Sequence, residues 1–479
     1  MSHINVRTLV MPSPVPAVHR WLALPVILAG TFMVTLDFFI VNVAIPSIQR
    51  ELHAGTAAIE WIVAGYGLSY AALLIIGGRL GDLHGRRRIF RCGVAVFTLA
   101  SFACGIAPDA GWLVLARITQ GVGAALLSPQ VLAILGTTYT GAERARAFAA
   151  YGVVLGIASA CGQLIGGLLI QIDAFGLGWR ACFLVNLPVG AGALLLAQVT
   201  VPESRGTTSA RLDLGGAVLV TLAIGGLLLP LIEGRAHGWP LWTWLSFAAA
   251  AAVAMMLVVH QRKRAARALT PLIDPVLLLA RGFRTGLLSA LVLFAGVASS
   301  FFVLALYLQQ GRGLAPLPSG LVFTAMALAF TVTSLLAGRI GRSMGRAPLA
   351  PGALGMALGL GAIMLTVRWI GVVGGLVAWL LPALAVDGAG MGLVMAPLAA
   401  AVLAGLPSHH AGAAAGLLVT VQQFANALGV ALVGLVFFGL LRHGGYDAAF
   451  TASLACLAVL ALVLAALVWR LQHTGSRTG

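Results

Sequence analysis

Charged side chains are scarce in this chain. They make up 9% of its 479 residues, whereas 60% are hydrophobic and the mean hydropathy is +1.02. A soluble domain carries about 25% charged residues, which keep its surface hydrated. With so few charges, most of the surface must face lipid. The composition therefore excludes an ordinary soluble enzyme or binding module and predicts an all-α membrane protein.

Lysine and cysteine are also rare. Lys263 is the only lysine among 29 basic residues, and together with 60 glycines this is typical of a GC-rich bacterial genome. The five cysteines are scattered without metal-ligand spacing, so we interpret them as small packing residues. The chain lacks a phosphate-binding Gly-x-x-x-x-Gly-Lys-Ser/Thr loop and a nucleophile elbow. We therefore expect neither enzymatic chemistry nor a cofactor or metal.

Apolar runs long enough to cross a bilayer, roughly 20 residues each, recur along the chain. We predict about fourteen transmembrane helices, at residues 21–44, 57–77, 89–107, 112–136, 147–170, 180–199, 213–232, 240–260, 285–309, 318–340, 349–368, 372–398, 412–440 and 447–469. Most basic residues fall in loops after even-numbered helices. Such loops remain in the cytoplasm, which predicts cytoplasmic termini and a bacterial inner (plasma) membrane. The net charge of +16 thus reflects topology, and we expect no nucleic-acid partner.

Two halves of the chain carry the same motifs in the same order. Residues 78–86 read GRLGDLHGR and residues 338–346 read GRIGRSMGR, each after the second helix of a six-helix block. Residues 120–123, QGVG, align with residues 387–390, DGAG, and a proline follows each at nearly the same distance. This repetition predicts two six-helix bundles with two extra helices between them. A substrate site at the bundle interface is the usual consequence.

The repeat and the loop charges set the predicted organisation of the chain. Residues 1–20 are a cytoplasmic segment, and residues 21–200 form the first bundle. Residues 201–270 are a linker that contains the two extra helices. Residues 271–470 form the second bundle, and residues 471–479 are a cytoplasmic tail.

These motifs resemble the major facilitator superfamily, specifically its fourteen-helix drug–proton antiporter branch. Residues 36–46, LDFFIVNVAIP, resemble the D-x-x-I-V-N-V-A-x-P pattern of helix one, and residues 117–123, RITQGVG, resemble R-x-x-Q-G-x-G of helix four. Residues 78–88 are similar to the loop motif G-x-L-x-D-R-x-G-R-R. The resemblance implies that this loop is a cytoplasmic gate, in which Asp82 binds a helix of the other bundle; its residues are Gly78, Asp82, Gly85, Arg86 and Arg87. The alternative is a loop that only sets orientation.

The chain departs from the family pattern in helix five. The motif G-P-x-x-G-G reads here as GQLIGG, with Gly162, Gln163, Gly166 and Gly167 at the named positions. The glycines still permit close helix packing. The family proline marks exporters, and its loss predicts that the helix lacks the expected kink.

Two carboxylates, Asp37 and Asp387, lie deep in the membrane by residue counting. A charged side chain at that depth costs about 2.5–3.5 kcal/mol on insertion scales, so it must meet a cation, meet water or bind a proton. Both are candidates for proton coupling, and hydrogen-bonded packing is the alternative. Arg117 is the one deep basic residue, interpreted either as a fixed cation beside such an acid or as an anchor to helix carbonyls. Gln120 follows one turn later and should share its environment.

Polar side chains inside other apolar helices are candidates to line a substrate cavity, with interhelical hydrogen bonding as the alternative. Besides Gln120 they are Tyr66, Gln309, Gln310, Gln422, Gln423 and Asn426.

Three functions are compatible with these features. The first is proton-coupled efflux of small amphipathic drugs or metabolites by alternating access. The second is proton symport or facilitated uptake of a metabolite, for which the replaced proline argues. The third is a membrane sensor or enzyme, which the short loops disfavour. The expected partners are a small-molecule substrate, protons and the lipid bilayer, and we expect the protein to function as a monomer.

Overall fold

The computed structural model describes residues 17–205, 213–267, 269, 277–344, 347–373, 375–403 and 411–474. Most of the predicted N-terminal segment 1–20 and of the tail 471–479 lies outside these residues. So do part of the 201–270 linker and Arg346 at the end of the second loop motif.

The described residues are built from helices, and none of them is in a strand. The helices are α1 Ala17–Glu51, α2 Thr56–His84, α3 Arg86–Gly105, α4 Ala110–Thr138, α5 Gly141–Ile172, α6 Ala181–Leu184, α7 Asn186–Thr200, α8 Leu214–Glu233, α9 Leu241–Ala266, α10 Arg281–Leu306, α11 Pro316–Ser343, α12 Leu349–Val373, α13 Leu381–Leu403 and α14 Ala411–Thr474. The short α6 continues into α7 as one apolar segment, and a π-helical turn, Tyr307–Gly311, extends α10.

The number of membrane crossings follows from these lengths. Twelve helices of the described residues are long and apolar enough to cross a bilayer, or thirteen when the two halves of α5 count as one crossing. The last of them, α14, has 64 residues and leaves helical geometry at Gly445, where φ is 70° and ψ is −176°. A helix of that length is about three bilayer cores long. The break at Gly445 divides α14 into two apolar parts, and the count of fourteen crossings stays a prediction.

The expectation that α5 lacks a kink is wrong. Its halves, Gly141–Ser159 and Cys161–Ile172, meet at 41° although no proline is present. Ser159 Oγ donates to the carbonyl oxygen of Gly156 at 3.0 Å, next to the bend. A serine that bonds back to the preceding turn, close to glycine, is a known cause of helix bending. Small and hydroxylated residues thus produce the bend that proline produces elsewhere.

The repeated motifs occupy equivalent positions in two bundles. The first contains α1–α7 and the second contains α10–α14. A Cβ on Gly121 in α4 would lie 2.4 Å from the carbonyl oxygen of Tyr66 in α2, and one on Gly388 in α13 would lie 2.2 Å from that of Met326 in α11. In both bundles the motif glycine lets the fourth helix touch the backbone of the second. The structure therefore repeats the packing that the aligned motifs predicted.

The inserted pair, α8 and α9, lies against the junction between the bundles. A buried cluster joins Leu228 and Ile232 of α8 to Ala64 of α2 and to Ala427 and Ala431 of α14. Because α2 belongs to the first bundle and α14 to the second, α8 covers one side of their junction. Most of α9 faces outward instead, where its apolar side chains are suited to lipid.

Asp213 holds the start of α8 to α9. Its carboxylate caps α8 at the backbone N–H of Gly216 and lies 2.8 Å from His260 Nε2 and 2.9 Å from Gln261 Nε2. Burial alone would raise the pKa of Asp213, but these hydrogen bonds and the charge of Arg264 outweigh it and leave the pKa lowered. Asp213 thus fastens the two helices of the inserted pair to each other.

Glutamine side chains join the two bundles at one end, which we call the Gln310 end because Gln310 lies there with Gln49 and Tyr446. Gln310 Nε2 in the π-helical turn donates to Gln49 Oε1 of α1 at 2.8 Å, and Gln309 Nε2 donates to the carbonyl oxygen of Val43 at 3.0 Å. At the opposite end, which we call the Asp82 end, the side-chain bonds of Arg86 and Arg87 stay within the first bundle.

Candidate functional site

Asp37 and Arg117 form an ion pair in the interior of the first bundle. Arg117 Nη1 donates to Asp37 Oδ2, although 80 residues separate the two in sequence. The exposed fractions of the side chains are 0% for Asp37 and 1% for Arg117. Arg117 Nε also donates to the carbonyl oxygen of Ile62 at 3.0 Å, and its guanidinium lies 4.4 Å from the centre of the Tyr66 ring. Both interpretations of Arg117, fixed cation and carbonyl anchor, therefore describe part of its surroundings.

Amides complete the network around this pair. Gln120 accepts from Arg117 Nη1 at 2.6 Å and donates to Asp37 Oδ1 at 2.8 Å and to Ser101 Oγ at 2.8 Å. Asn186 Nδ2 from α7 donates to Asp37 Oδ1 at 3.4 Å. Four helices thus contribute to a fully buried set of hydrogen bonds in which each charge has partners, as a low-dielectric interior requires. We call Asp37, Ser101, Arg117, Gln120 and Asn186 the α1–α4 network.

Asp387 has the opposite surroundings in the second bundle. Its side chain is 2% exposed, and its Oδ1 has no hydrogen-bond partner. It lines a cavity of about 10 Å³ with side chains of α10, α12 and α14, among them Val297, Leu360 and Leu457. No cation of the described residues pairs with it. A carboxyl group placed this way is stable when neutral, and the cavity has room for about one water molecule.

The internal repeat allows the surroundings of Asp387 to be compared with those of the aligned position in the first bundle. Asp387 aligns with Gln120, and both face the first, third and sixth helices of their own bundle. In the first bundle that space contains the α1–α4 network, and in the second it is apolar apart from Ser300. The two acids therefore do not face each other across the bundle interface. One has a fixed cation, and the other has none.

Other predicted cavity residues lie between the bundles. The backbone of Gln423 in α14 approaches α2 so closely that a Cβ on Gly67 would be 3.3 Å from its carbonyl oxygen. Asn426 Nδ2 donates to Gln423 Oε1 at 3.3 Å, and Gln422 is partly exposed beside them. Tyr66 instead lies within the first bundle under Arg117. Gln423 and the Asn426 bonded to it therefore lie where α14 packs against α2 of the other bundle.

Aromatic side chains that the sequence reading missed also join the bundles. The rings of Phe39 in α1 and Phe301 in α10 are 5.0 Å apart at their centres, and Phe301 stacks on Phe323 at 5.5 Å. These rings and the α14 amides give the interface both apolar and polar contacts. Their signal in the sequence was only one phenylalanine within the helix-one motif and another in α10, which is no more than ordinary core residues show.

Gln309 and Gln310 belong to the contact at the Gln310 end. Tyr446 donates to Gln310 Oε1 at 3.0 Å while Gln310 donates to Gln49. A vestibule of about 720 Å³ opens beside them and is also lined by Arg50 and Pro316. Both glutamines thus bond across the bundles at one end of the protein, away from the deep acids.

The loop motif is anchored within its own bundle. Arg86 donates twice to Asp82 Oδ1, at 2.8 and 3.1 Å, and Arg87 N donates to Glu203 Oε1 at 3.0 Å. Gly85 has φ 107°, and a Cβ there would lie 2.8 Å from the carboxylate of Glu203, so the turn requires glycine. Gly78 has more space, since a Cβ added there would make an ordinary van der Waals contact with Pro129. The resemblance implies that Asp82 binds a helix of the other bundle, and residues 404–410, which precede α14, lie outside the described part.

The helix-five motif contacts both bundles. Gly162 and Gly166 face α1, where a Cβ would lie within 2.8 Å of Phe39 and Val43, respectively. Gly167 faces the backbone of Pro316 in α11 at 2.6 Å. Gln163, which replaces the family proline, is 1% exposed, and both polar atoms of its amide lack a hydrogen-bond partner.

Replacing this amide should stabilise the protein. We expect Gln163→Met to raise the thermal midpoint of the purified protein in detergent, because each unpaired buried polar group costs about 1–3 kcal/mol. Gln130→Met is the matched control. Gln130 is equally buried but donates to the carbonyl oxygen of Gly77 at 2.7 Å, so its loss should lower the midpoint. Equal shifts of the two variants in one direction would contradict the interpretation.

Comparison with known proteins identifies the family. A family model described as Major Facilitator Superfamily matches residues 27–430. The chain is 39% identical over 430 residues to a probable actinorhodin transporter of Streptomyces coelicolor, covering 89% of this chain and 74% of the relative. It is 35% identical over 471 residues to the puromycin resistance protein pur8 of Streptomyces alboniger, covering 95% and 92%. The cephamycin export protein CmcT of Amycolatopsis lactamdurans is 35% identical and is covered to 82%.

Solved structures share the fold. A crystal structure of a POT family transporter with a bound thioalcohol-conjugated peptide has a TM-score of 0.67 at 14% identity, with 94% of this chain and 96% of that chain covered. A bacterial homolog of the human lysosomal transporter Spinster, in an inward-facing conformation, has a TM-score of 0.65 at 15% identity, with 96% and 97% covered.

Two helical bundles with buried polar side chains define a multi-pass membrane transport protein. The chain belongs to the Major Facilitator Superfamily. It is a transporter of small molecules rather than an enzyme.

Proposed function

We propose that the protein exports small amphipathic compounds in exchange for protons, as a member of the fourteen-helix drug–proton antiporter branch. The observation that carries the proposal is the unpaired carboxyl group of Asp387, buried in a bundle whose counterpart holds a fully paired acid. A group that can be stable when neutral and is free of a fixed cation is suited to bind and release protons as its solvation changes.

The direction of transport is supported by the relatives. Those named above are described as transporters, resistance proteins and export proteins for antibiotics. The bend in α5 also supports export. The missing proline of α5 was the argument for uptake, but α5 bends without it. The aromatic rings and amides between the bundles fit substrates that combine apolar and polar groups.

The contacts between the bundles support an alternating-access cycle. We place both termini in the cytoplasm of a bacterial inner membrane, following the loop arginines. The Gln310 end is then outside, and the contacts there describe a state closed to the outside. We propose that a monomer completes the cycle and that the domain boundaries are those predicted from the repeat.

Asp82 is the proposed latch of the cytoplasmic end. In the present state it pairs with the neighbouring Arg86, and in the outward-open state we expect it to bind the second bundle. Asp82→Asn should therefore reduce transport at least about tenfold, while the protein still inserts and purifies as a monodisperse species. The conservative variant Asp82→Glu should retain part of the activity. Transport by Asp82→Asn at the wild-type rate would show that the loop only sets orientation.

Reconstituted transport tests the proposed function. Purified protein in proteoliposomes should move a fluorescent amphipathic cation, such as ethidium, in the direction opposite to the proton flow that an imposed pH gradient drives. Movement in the same direction as the protons would instead support symport. Equilibration that ignores the gradient would support a facilitator.

A further inference from the structure

Arg235, in the loop between α8 and α9, binds both bundles at once. Its Nη2 donates to Glu60 Oε1 at 2.9 Å and to Thr56 Oγ1 at 3.0 Å, both on α2. Its Nη1 donates to the carbonyl oxygen of Gly434 at 3.3 Å, and its guanidinium lies 4.8 Å from the centre of the Phe438 ring, both on α14. One side chain of the inserted pair therefore connects the first bundle to the second at the Gln310 end.

Glu60 is fully buried where it pairs with Arg235. Although it lies near the start of α2, its side chain is 0% exposed, and its Oε2 has no partner among the described residues. A Cβ on Gly434 would lie 3.0 Å from the Glu60 carboxyl carbon, so the missing side chain lets α14 approach α2 here. The carboxylate of Glu233 on α8 is a second charge near Glu60.

The contacts of Arg235 differ in strength. Those with α2 include a charge pair in which Glu60 is fully buried, and breaking it would leave a charge unpaired in the interior. Those with α14 are a long hydrogen bond to a neutral carbonyl and a ring face. A second bond fastens the inserted pair to α2 alone, from Trp61 Nε1 to Glu233 Oε1 at 2.8 Å. When α2 and α14 separate, Arg235 should therefore remain on α2 and release α14.

We propose that the inserted pair α8–α9 moves with the first bundle and that Arg235 is its releasable latch on α14, which holds the Gln310 end closed. The inference rests on the proposed alternating-access function. It gives the two extra helices a specific role: α8 covers the junction between α2 and α14, and the loop that follows α8 fastens that junction at its end.

Distance measurements test the latch directly. Spin labels at Phe175 and His443, both exposed at the Gln310 end and in different bundles, report its opening after the five native cysteines are replaced. In proteoliposomes, Arg235→Gln should raise the ratio of long to short distances about tenfold, the factor that corresponds to about 1.4 kcal/mol. The double variant Arg235→Gln/Glu60→Gln, which leaves no unpaired buried charge, should show the same shift.

Trp61→Phe is the matched control, because it removes a bond between the inserted pair and α2 without touching α14. Its distances should match the wild type. Unchanged distances in both Arg235 variants would overturn the latch, and an equal shift in Trp61→Phe would show that α8 acts only by covering the junction. The distances do not depend on proton exchange. If the wild type fails to exchange protons while the Arg235 variants show the distance shift, proton-coupled export is refuted and the latch stands.

Discussion

Asp37→Asn is expected to abolish transport and to destabilise the first bundle by about 3–5 kcal/mol, the loss typical when one member of a buried ion pair is removed. The substitution keeps the shape of the side chain but leaves Arg117 charged and 1% exposed. Arginine cannot lose its proton to escape this cost. The amide oxygen of the substituted side chain, Gln120 Oε1 and the carbonyl oxygen of Ile62 would remain as acceptors, but none of them carries a negative charge. Thermal unfolding in detergent and transport in vesicles measure the two effects.

Replacing the other member of the pair, Arg117, should cost less stability. Arg117→Gln leaves a carboxyl group, which can bind a proton and become neutral, so we expect a smaller loss of stability than for Asp37→Asn. The double variant Asp37→Asn/Arg117→Gln contains no buried charge and should recover much of the stability. If Asp37→Asn were as stable as the wild type, the pair would not be the structural centre of the first bundle.

Asp387→Asn should separate substrate movement from proton movement. We expect loss of accumulation driven by a pH gradient, by at least about tenfold, with counterflow of substrate down its own gradient retained. The reason is that Asp387 has no cation to replace and no hydrogen bond at Oδ1 to lose, so an amide fits the same space without breaking the bundle. Stability should change little, in contrast to Asp37→Asn.

The matched control for Asp387 is Gln120, its counterpart in the repeat. Gln120→Ala removes hydrogen bonds to Asp37 and Ser101 and should lower stability and all modes of transport together. Full gradient-driven accumulation by Asp387→Asn would show that this acid does not carry the proton and is a packing residue.

The crossings and the repeat were predictable because they depend on local composition and on motif spacing. Runs of about 20 apolar residues mark helices wherever they occur, and the glycines of the aligned motifs at 121 and 388 make the same backbone contacts in both bundles. Arg117 and Gln120 were expected together because they are one helical turn apart. The expectation of an unkinked α5 failed because it rested on the missing proline alone, and Ser159 and nearby glycines bend the helix without it.

Partners from distant parts of the chain were not predictable from a single sequence. The spacing of Asp37 and Arg117 reveals their depth but not their contact, which depends on how α1 and α4 pack. Residue counting likewise indicated the depth of Asp387 but not its neighbours, which belong to α10, α12 and α14. The burial of Glu60 near the start of α2 likewise depends on the loop after α8, which brings Arg235, and on α14, which approaches at Gly434.

Direct detection of protons during transport tests the central claim. Purified protein is reconstituted with a pH-sensitive dye inside the vesicles, and a substrate gradient is imposed in the absence of any initial pH difference. The account predicts that wild-type protein moves protons opposite to the substrate, that Asp387→Asn moves substrate without protons, and that protein-free vesicles do neither. Substrate movement by the wild type without any change in internal pH would contradict proton-coupled export.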